Sequence, residues 1–350
     1  MLEFKDVSYS YRGRYEALRD VTATVDSGLC LVLGENGAGK TTLLGLAAAE
    51  LLATQGAVML DGEDVAWRLP SMLSRIFFVS DDYESPFRCV NDMARYHAPF
   101  YPNFDAAALA ENLAAFGLTG NEKLRRQSLG MRRKALIAFG LALRPDLLLF
   151  DEPANGLDIG SKKELRRMVS RNMTDGQTVM ISTHTVADLE VLYDSVIILH
   201  AGRVELALST EGVTQRLSFR TTSVPPVEAL YIEKDGALFR SISVAEEPGE
   251  TAVDFELLYS AIMSDSREGI INVLSKERRW NQKYSVCAGS ACCAASTGRP
   301  SNARRCVVPW YLWWPMCCRG LRSIISTMWL PTVVPWVCSA LCRCSRRLCT

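Results

Sequence analysis

A glycine-rich stretch near the N-terminus has the residue types that hold a chain of phosphates. Residues 34–42 read GENGAGKTT and match the pattern G-x-x-x-x-G-K-[ST] without a gap. Glycines let a phosphate approach the backbone, and successive N–H groups at a helix start attract negative charge. We therefore expect a nucleoside triphosphate to be bound by this set of residues: Gly34, Asn36, Gly37, Ala38, Gly39, Lys40, Thr41 and Thr42.

Three side chains of this stretch have distinct expected roles. Lys40 supplies a positive charge to the β- and γ-phosphates. The Thr41 hydroxyl is expected to ligate Mg²⁺, and Thr42 is expected to reach the α-phosphate. Hydrolysis at such a site also requires acidic groups that hold the metal and activate water.

Residues 147–153, LLLFDEP, supply acidic groups of this kind. Four apolar residues predict a strand, and two carboxylates follow at its carboxyl end. Asp151 would hold Mg²⁺ through water. Glu152, one residue further on, can face the attacking water as a general base.

A third stretch, QSLGMRRK at residues 127–134, has two interpretations. Ser128 stands where it can cap a helix, so the stretch is compatible with an ordinary helix start. It is equally compatible with a motif that touches a nucleotide held by another molecule. We expect Arg132, Arg133 and Lys134 to form a solvated face rather than a ligand site.

Strand-like and helix-like stretches alternate over the first 205 residues. Continuous apolar runs such as TVMIST (178–183) and SVIILH (195–200) are typical of strands buried on both faces. The alternation predicts an α/β fold with a mostly parallel sheet between helices. Further strands are expected at 29–34 and 75–80, and helices at 41–52, 105–118, 161–173 and 185–193.

The order of GENGAGKTT, QSLGMRRK, LLLFDEP, NGLD (155–158) and ISTH (181–184) resembles the ATP-binding subunit of an ABC transporter. The resemblance covers about residues 1–208, and the S-x-G-M form of the third stretch is similar to bacterial exporter ATPases. It implies a P-loop NTPase fold with an antiparallel N-terminal β part. It also implies a helical subdomain at roughly 84–127. Beyond the resemblance, short strand-like and helix-like stretches in residues 209–284 predict a small α/β appendage.

The resemblance implies a role for five further residues. Ser128 and Gly130 match the signature that one subunit presents to the ATP of the other, with Leu129 and Met131 in place of the usual Gly and Gln. The roles of the other three are carried over from the family: Asp158 touches the opposite site, His184 contacts the γ-phosphate, and Tyr11 stacks on adenine.

One position departs from the family pattern. After the strand RIFFV the family usually has Gln, and this chain reads SDDYES. Asp81 is the nearest equivalent and can ligate Mg²⁺, although it cannot donate a hydrogen bond as Gln does. Whether Asp81 or Glu84 takes over the role of the Gln stays open at this point.

Charge and cysteine content place limits on partners and compartment. Because 8 of the 39 basic residues lie in 285–350, residues 1–284 carry 31 basic and 39 acidic groups, which argues against nucleic-acid binding. Only Cys30 and Cys89 precede residue 285, as suits a reducing compartment. The N-terminus has no signal-peptide pattern, so a cytoplasmic location is expected.

Residues 285–350 differ in composition from the rest of the chain. They contain ten Cys, five Trp and eight Arg but no Lys, Asp or Glu. A membrane segment at 323–342, a metal site and a disulfide scaffold are three interpretations. We favour a fourth, out-of-frame translation of GC-rich DNA, and expect a disordered or poorly packed tail.

The resemblance implies that two ATPase subunits, identical or not, sandwich two MgATP and drive a separately encoded permease. Peripheral attachment to the inner face of the cell membrane through that permease would follow. The alternative is a soluble ABC ATPase without a transport role, acting in DNA repair or on ribosomes. A P-loop kinase for a small molecule would leave SLGM and ISTH unexplained.

Overall fold

The structure, a computed structural model, describes residues 1–81, 85–185 and 193–275. Several predictions therefore lie outside the described residues. These are the role of Glu84, most of the helix expected at 185–193, and everything expected of 285–350. All described residues belong to one compact unit.

A central sheet of six strands lies in the middle of this unit. Its spatial order is β10-β9-β3-β8-β7-β6, and every neighbouring pair is parallel except β9 with β10. The predicted mostly parallel sheet is confirmed. The strands are β3 (Gly28–Leu33), β6 (Ile76–Val79), β7 (Leu147–Asp151), β8 (Thr178–Thr183), β9 (Ser195–His200) and β10 (Arg203–Ser209).

Two apolar clusters cover the two faces of this sheet, because side chains alternate along each strand. Cys30 and Val32 of β3 face the cluster that includes the N-terminal sheet. Leu29, Leu31 and Leu33 face the other cluster, which contains the longer helices. Burial on both faces explains why these strands are continuously apolar rather than alternating.

A second sheet is antiparallel and comes from the N-terminal part of the chain, as the family resemblance implies. Its order is β2-β1-β4-β5. Residues Leu2↔Val25 and Tyr11↔Tyr15 are partners at the two ends of the first hairpin. The strands are β1 (Leu2–Tyr11), β2 (Tyr15–Val25), β4 (Gln55–Leu60) and β5 (Glu63–Asp64).

Helices pack against both faces of the central sheet in the described part of the chain. Among the described residues, no helix is both long and apolar enough to cross a membrane. The helices of residues 1–208 are α1 (Lys40–Ala47), α2 (Pro70–Leu73), α3 (Val90–His97), α4 (Ala106–Ala115), α5 (Leu129–Leu143) and α6 (Ile159–Asn172).

Helix α1 is shorter than the run of helix formers at 41–52 suggests. Ala49 takes a left-handed conformation, with φ of 57°. The N–H groups of Glu50 and Leu51 then donate to the carbonyl of Gly45, at 2.9 and 3.0 Å. These bonds satisfy the carbonyl group of Gly45, which would otherwise be free at the end of the helix. The turn at Ala49 therefore ends α1, although the residues beyond it favour a helix.

Residues beyond β10 form the small α/β arrangement expected at 209–284, as far as the structure describes them. Buried residues of this part, among them Leu257 and Ile270, join the same apolar cluster as the long helices. The domain boundary at 208/209 stays a prediction. The elements are α7 (Thr210–Thr214), β11 (Leu217–Thr222), β12 (Tyr231–Asp235), β13 (Leu238–Val244), α8 (Phe255–Ile262) and α9 (Arg267–Ser275).

Replacing Phe139 with alanine should lower the free energy of unfolding by about 3–5 kcal/mol, because it leaves a cavity in the core. Phe139 is 0% exposed and meets the ring of Phe77 edge-on, with centroids 5.6 Å apart. Chemical denaturation followed by circular dichroism measures the loss. Phe100, which is 67% exposed, gives the matched control Phe100→Ala. Equal losses in the two variants would contradict this packing.

Candidate functional site

A cleft opens where the carboxyl ends of β3, β7 and β8 meet the start of α1. Its volume is about 350 Å³. Eleven of the predicted site residues line it: Tyr11, Asn36, Gly37, Gly39, Lys40, Thr41, Thr42, Asp81, Asp151, Glu152 and His184. Four lining residues were not predicted from the sequence: Tyr15, Ala17, Glu35 and Asn155.

The loop between β3 and α1 has a backbone shape that requires glycine. Gly37 and Gly39 have φ of 86° and 107°, in the left-handed region that other residues rarely adopt. Gly34 lies behind the loop, where an added Cβ would stand 2.7 Å from the carbonyl oxygen of Leu199. Ala38 is buried and does not line the cleft. The loop thus turns tightly and brings the N-terminus of α1 to the cleft.

Lys40 places a buried ammonium group between the loop and an acid. Its side chain is only 5% exposed. The Nζ atom donates to the carbonyl oxygens of Gly34 and Glu35, at 2.8 and 3.3 Å. It also lies 3.2 Å from Oε1 of Glu152. A positive charge is therefore fixed at the wall of the cleft, as the binding of phosphates requires.

Asp151 is a carboxylate held at 3% exposure by two hydroxyl groups. Thr41 donates to its Oδ2 at 2.6 Å, and Ser182 donates to its Oδ1 at 2.5 Å. The register of the sheet explains the second bond, because Asp151 and Ser182 are partners on the parallel strands β7 and β8. Ser182 is a site residue that the sequence analysis missed, although it stands inside the ISTH motif.

Glu152 follows directly and takes an unusual backbone conformation, with φ of 47°. Its N–H donates to the hydroxyl oxygen of Ser182 at 3.0 Å and approaches the carbonyl oxygen of Ser182 at 3.2 Å. Its Oε2 lies 2.9 Å from Nδ1 of His184. Its Oε1 is buried, and the ammonium group of Lys40 lies 3.2 Å away as an ion-pair partner. This carboxylate is therefore held between Lys40 and His184 at the wall of the cleft.

The donor set around Asp151 fits a magnesium ion. Thr41 and Asp151 offer hard oxygen ligands that already lie within hydrogen-bond distance of each other. Within the described ranges, no three His, Cys, Asp or Glu side chains converge to hold a metal by themselves. Magnesium is usually bound by one or two carboxylates together with substrate phosphates, and this partial set is of that type.

Two tyrosines stand at the mouth of the cleft. The hydroxyl of Tyr11 is 3.1 Å from the Thr42 hydroxyl, and its ring is 40% exposed. Tyr15, the hairpin partner of Tyr11, is 60% exposed and also lines the cleft. Tyr11 therefore lines the cleft beside a second tyrosine that was not predicted, and its stacking on adenine stays a prediction.

Arg133 and Lys134 correct one expectation, since the prediction of a solvated basic face is wrong for both. The side chain of Arg133 is 6% exposed and that of Lys134 is 13% exposed. Arg133 forms an ion pair with Asp81, and Lys134 lies 3.1 Å from a carboxylate oxygen of Asp158. Sequence spacing placed three cations together, but it could not show that acids from other segments pack beside two of them.

Ser128, Gly130 and Asp158 do not line the cleft of their own chain. Ser128 caps α5 and accepts a hydrogen bond from the N–H of Met131 at 3.3 Å. Asp158 caps α6. Hydrogen bonds hold the pKa of the Asp158 carboxyl below its usual range. The largest contributions come from the hydroxyl and N–H of Ser161, and a smaller one comes from Lys134. Ser128 and Asp158 are exposed.

Comparison with known proteins gives consistent matches. Residues 18–155 match the family model described as ABC transporter. The chain is 33% identical over 215 residues to the ABC transporter ATP-binding protein NatA of Bacillus subtilis (strain 168), covering 58% of this chain and 87% of that relative. It is 30% identical over 215 residues to the energy-coupling factor transporter ATP-binding protein EcfA of Methanothermobacter thermautotrophicus, covering 58% of this chain and 69% of the relative.

A solved structure agrees with these relatives. It is the ATP binding subunit of an ABC transporter, 26% identical to this chain, with a TM-score of 0.54. The match covers 61% of this chain and 91% of that one. The predicted fold class is confirmed.

Changing Ser182 to alanine should lower the rate of ATP hydrolysis about tenfold or more, because both Asp151 and the Glu152 N–H lose a hydrogen-bond partner. The free energy of unfolding should fall by about 1–3 kcal/mol. A coupled ATPase assay and thermal unfolding measure the two effects. Ser218→Ala is the matched control, since the Ser218 hydroxyl is buried and accepts or donates no hydrogen bond among the described residues. Equal rates in both variants would contradict the role of Ser182.

Proposed function

The chain belongs to the family of ABC transporter ATP-binding proteins, and we propose which of its residues bind and hydrolyse the ATP. It is the ATP-binding and ATP-hydrolysing subunit of an ABC transporter and powers a separate permease. One observation carries the assignment of residues. A lysine, two carboxylates and a histidine meet in a single cleft beside a glycine-rich turn.

The phosphates of ATP bind at the N-terminus of α1. Backbone N–H groups of residues 36–42 point at an anion in this kind of loop, and the helix dipole adds positive potential. Lys40 supplies the charge that meets the β- and γ-phosphates. Tyr11 and Tyr15 flank the mouth of the cleft and offer rings on which the adenine can stack. We assign the adenine to this side for that reason.

Glu152 is the general base. It accepts a proton from the water that attacks the γ-phosphorus in line, while the bond from phosphorus to the bridging oxygen breaks and ADP leaves. Its contacts with Ser182 and His184 fix its direction. Lys40 and His184 stabilise the charge that develops on the transferring group.

Thr41 and Asp151 are the residues that would hold Mg²⁺. The ion supplies charge neutralisation to the β- and γ-phosphates when bound. Asp81 lines the same cleft, but its carboxylate is paired with Arg133. We therefore assign the metal to Thr41 and Asp151 and give Asp81 a different role below.

Ser128, Gly130 and Asp158 serve the ATP of a partner subunit. They are displaced from the cleft of their own chain, and Ser128 and Asp158 are exposed at the starts of α5 and α6. A helix N-terminus with an exposed hydroxyl is suited to a γ-phosphate that arrives across an interface. Binding of ATP then closes a dimer of two subunits. Hydrolysis of the ATP, followed by release of the products, opens the dimer again.

The membrane pathway belongs to the separate permease, and we place this subunit at the inner face of the cell membrane through that contact. The relatives described above are named as transporter ATP-binding proteins, which favours transport over the alternative of a soluble ABC ATPase. An adjacent reading frame with about six apolar segments of about 20 residues would identify the permease. Co-purification of the two chains is expected, and failure to associate would favour the soluble alternative.

Glu152→Gln should lower ATP turnover by at least about 100-fold while ATP binding is retained, because glutamine keeps the shape but cannot take the proton. Purified subunit with its permease is assayed for phosphate release and for binding of labelled ATP. Glu164→Gln on α6 is the control, and it should keep the parental rate. A rate unchanged by Glu152→Gln would remove this residue from the role of base.

Mixing two inactive variants should restore activity if the ATP site is shared between two copies. Lys40→Ala inactivates the cleft and Ser128→Arg blocks the helix start, so each alone should be nearly inactive. At equal amounts, random pairing makes about half of the dimers mixed, and each mixed dimer has one of its two ATP sites intact. The mixture should therefore hydrolyse ATP at about a quarter of the parental rate. Phosphate release is measured against the mixing ratio. No recovery, together with no association of like chains, would show that the partner is an unlike subunit.

A further inference from the structure

Arg133 joins three segments of the chain at one buried point. Its guanidinium group forms an ion pair with the carboxylate of Asp81 and donates at 3.3 Å to the carbonyl oxygen of the same residue. It also donates to the carbonyl oxygen of Asn155. Asp81 follows β6, and Asn155 lies in the loop after β7.

The three segments belong to different parts of the site. Asp81 and Asn155 line the nucleotide cleft of their own chain. Arg133 lies on α5, whose first turn begins at Ser128 on the surface assigned to the partner. The Arg133 side chain therefore spans from the cleft wall to the helix that carries the signature residues.

The start of α5 also contacts the loop after β7 through its backbone. An added Cβ at Gly130 would stand 3.0 Å from the carbonyl oxygen of Gly156, so the first turn of α5 lies against the loop that follows Asn155. A Cβ at Gly156 would in turn stand 3.6 Å from Nη1 of Arg133. The start of α5 thus touches the cleft loop through backbone packing as well as through the buried cation.

A bidentate guanidinium is well suited to this arrangement. It offers several donors in a fixed plane, so one side chain can bind a carboxylate and two carbonyl oxygens together. The Arg133 side chain is 6% exposed, whereas that of Asp81 is 38% exposed, so removing the guanidinium group would break a half-buried ion pair and the hydrogen bond to the Asn155 carbonyl. We therefore expect the cleft wall and α5 to move together, because a displacement of either one would break these contacts.

We propose that Arg133 is a positioning residue that couples the nucleotide cleft of this chain to the helix start at Ser128, which the chain presents to its partner. The proposal rests on the function proposed above. In this account Asp81 serves as the anion that anchors Arg133. A nucleotide bound between the phosphate loop and the loop at Asn155 orders the first turn of α5 through the contacts of Arg133 with Asp81 and Asn155.

Hydrogen exchange on single chains tests the coupling without relying on activity. The Glu152→Gln variant keeps ATP unhydrolysed, and light scattering fixes a concentration at which only monomers are present. Addition of MgATP should slow amide exchange at least about fivefold in two segments, 34–42 and 128–132. In the same background, Arg133→Gln should keep the slowing in 34–42 and lose it in 128–132.

Three further variants sharpen the comparison. Arg167→Gln removes an arginine from the exposed face of α6, where it pairs only with Glu164 among the described contacts, and should keep both effects. Arg133→Lys should retain part of the effect, because a single ammonium group replaces the planar fork. Asp81→Asn keeps the shape of the anchor without its charge and should weaken the effect in 128–132. Circular dichroism and thermal unfolding establish first that each variant is folded.

The outcomes separate the coupling from the site itself. If MgATP does not slow exchange in 34–42 of the parent, the proposed nucleotide site fails. If 34–42 responds but 128–132 does not, or if Arg133→Gln keeps both effects, the coupling is overturned. Should Arg133→Gln not fold, full retention of the effect in both Arg133→Lys and Asp81→Asn would overturn it equally. A selective loss in 128–132 supports the coupling.

Discussion

The candidate site depends on one constraint, the burial of the Asp151 carboxylate at the end of an apolar strand. A charge at 3% exposure is tolerated only where hydrogen bonds replace water. The donors are Thr41 from the phosphate loop and Ser182 from the neighbouring strand. These two bonds fix the separation of loop and sheet, and the same Ser182 hydroxyl accepts the N–H of Glu152. The proposed metal ligands and the proposed general base are therefore positioned by one small network.

Local sequence patterns were sufficient to predict the fold class and the phosphate-loop and acidic residues of the cleft, whereas Tyr11, Asp81 and His184 were expected only from the family resemblance. Apolar runs gave the buried strands, and GENGAGKTT and LLLFDEP marked where two of them end. Carboxyl ends of parallel strands meet at one edge of a sheet, so proximity followed from the fold. The length of α1 was overestimated, since a turn at Ala49 outweighed favourable helix residues beyond it.

The remaining features depend on contacts between distant segments, and local patterns do not contain them. Ser182 acts on Asp151 only because of the register between β7 and β8. Arg133 looked like part of a solvated run, and its ion pair with Asp81 forms only because folding brings Asp81 beside α5. Asn155 and Tyr15 reach the cleft by the same kind of long-range placement. Charge runs predict solvation only when no acid from elsewhere packs against them.

The proposed function gives the chain two working surfaces, which are joined by shared polar contacts. One is its own cleft, and the other is the pair of helix starts at Ser128 and Asp158. The start of α5 is joined to the cleft wall through Arg133, and the starts of α5 and α6 are joined to each other through the pairing of Lys134 with Asp158. Apolar packing is non-directional, whereas charged contacts fix a relative orientation. A subunit in which ATP binding at one surface changes another surface therefore needs charged contacts between the two. Of the basic residues after Ser128, Arg133 and Lys134 form charged contacts of this kind.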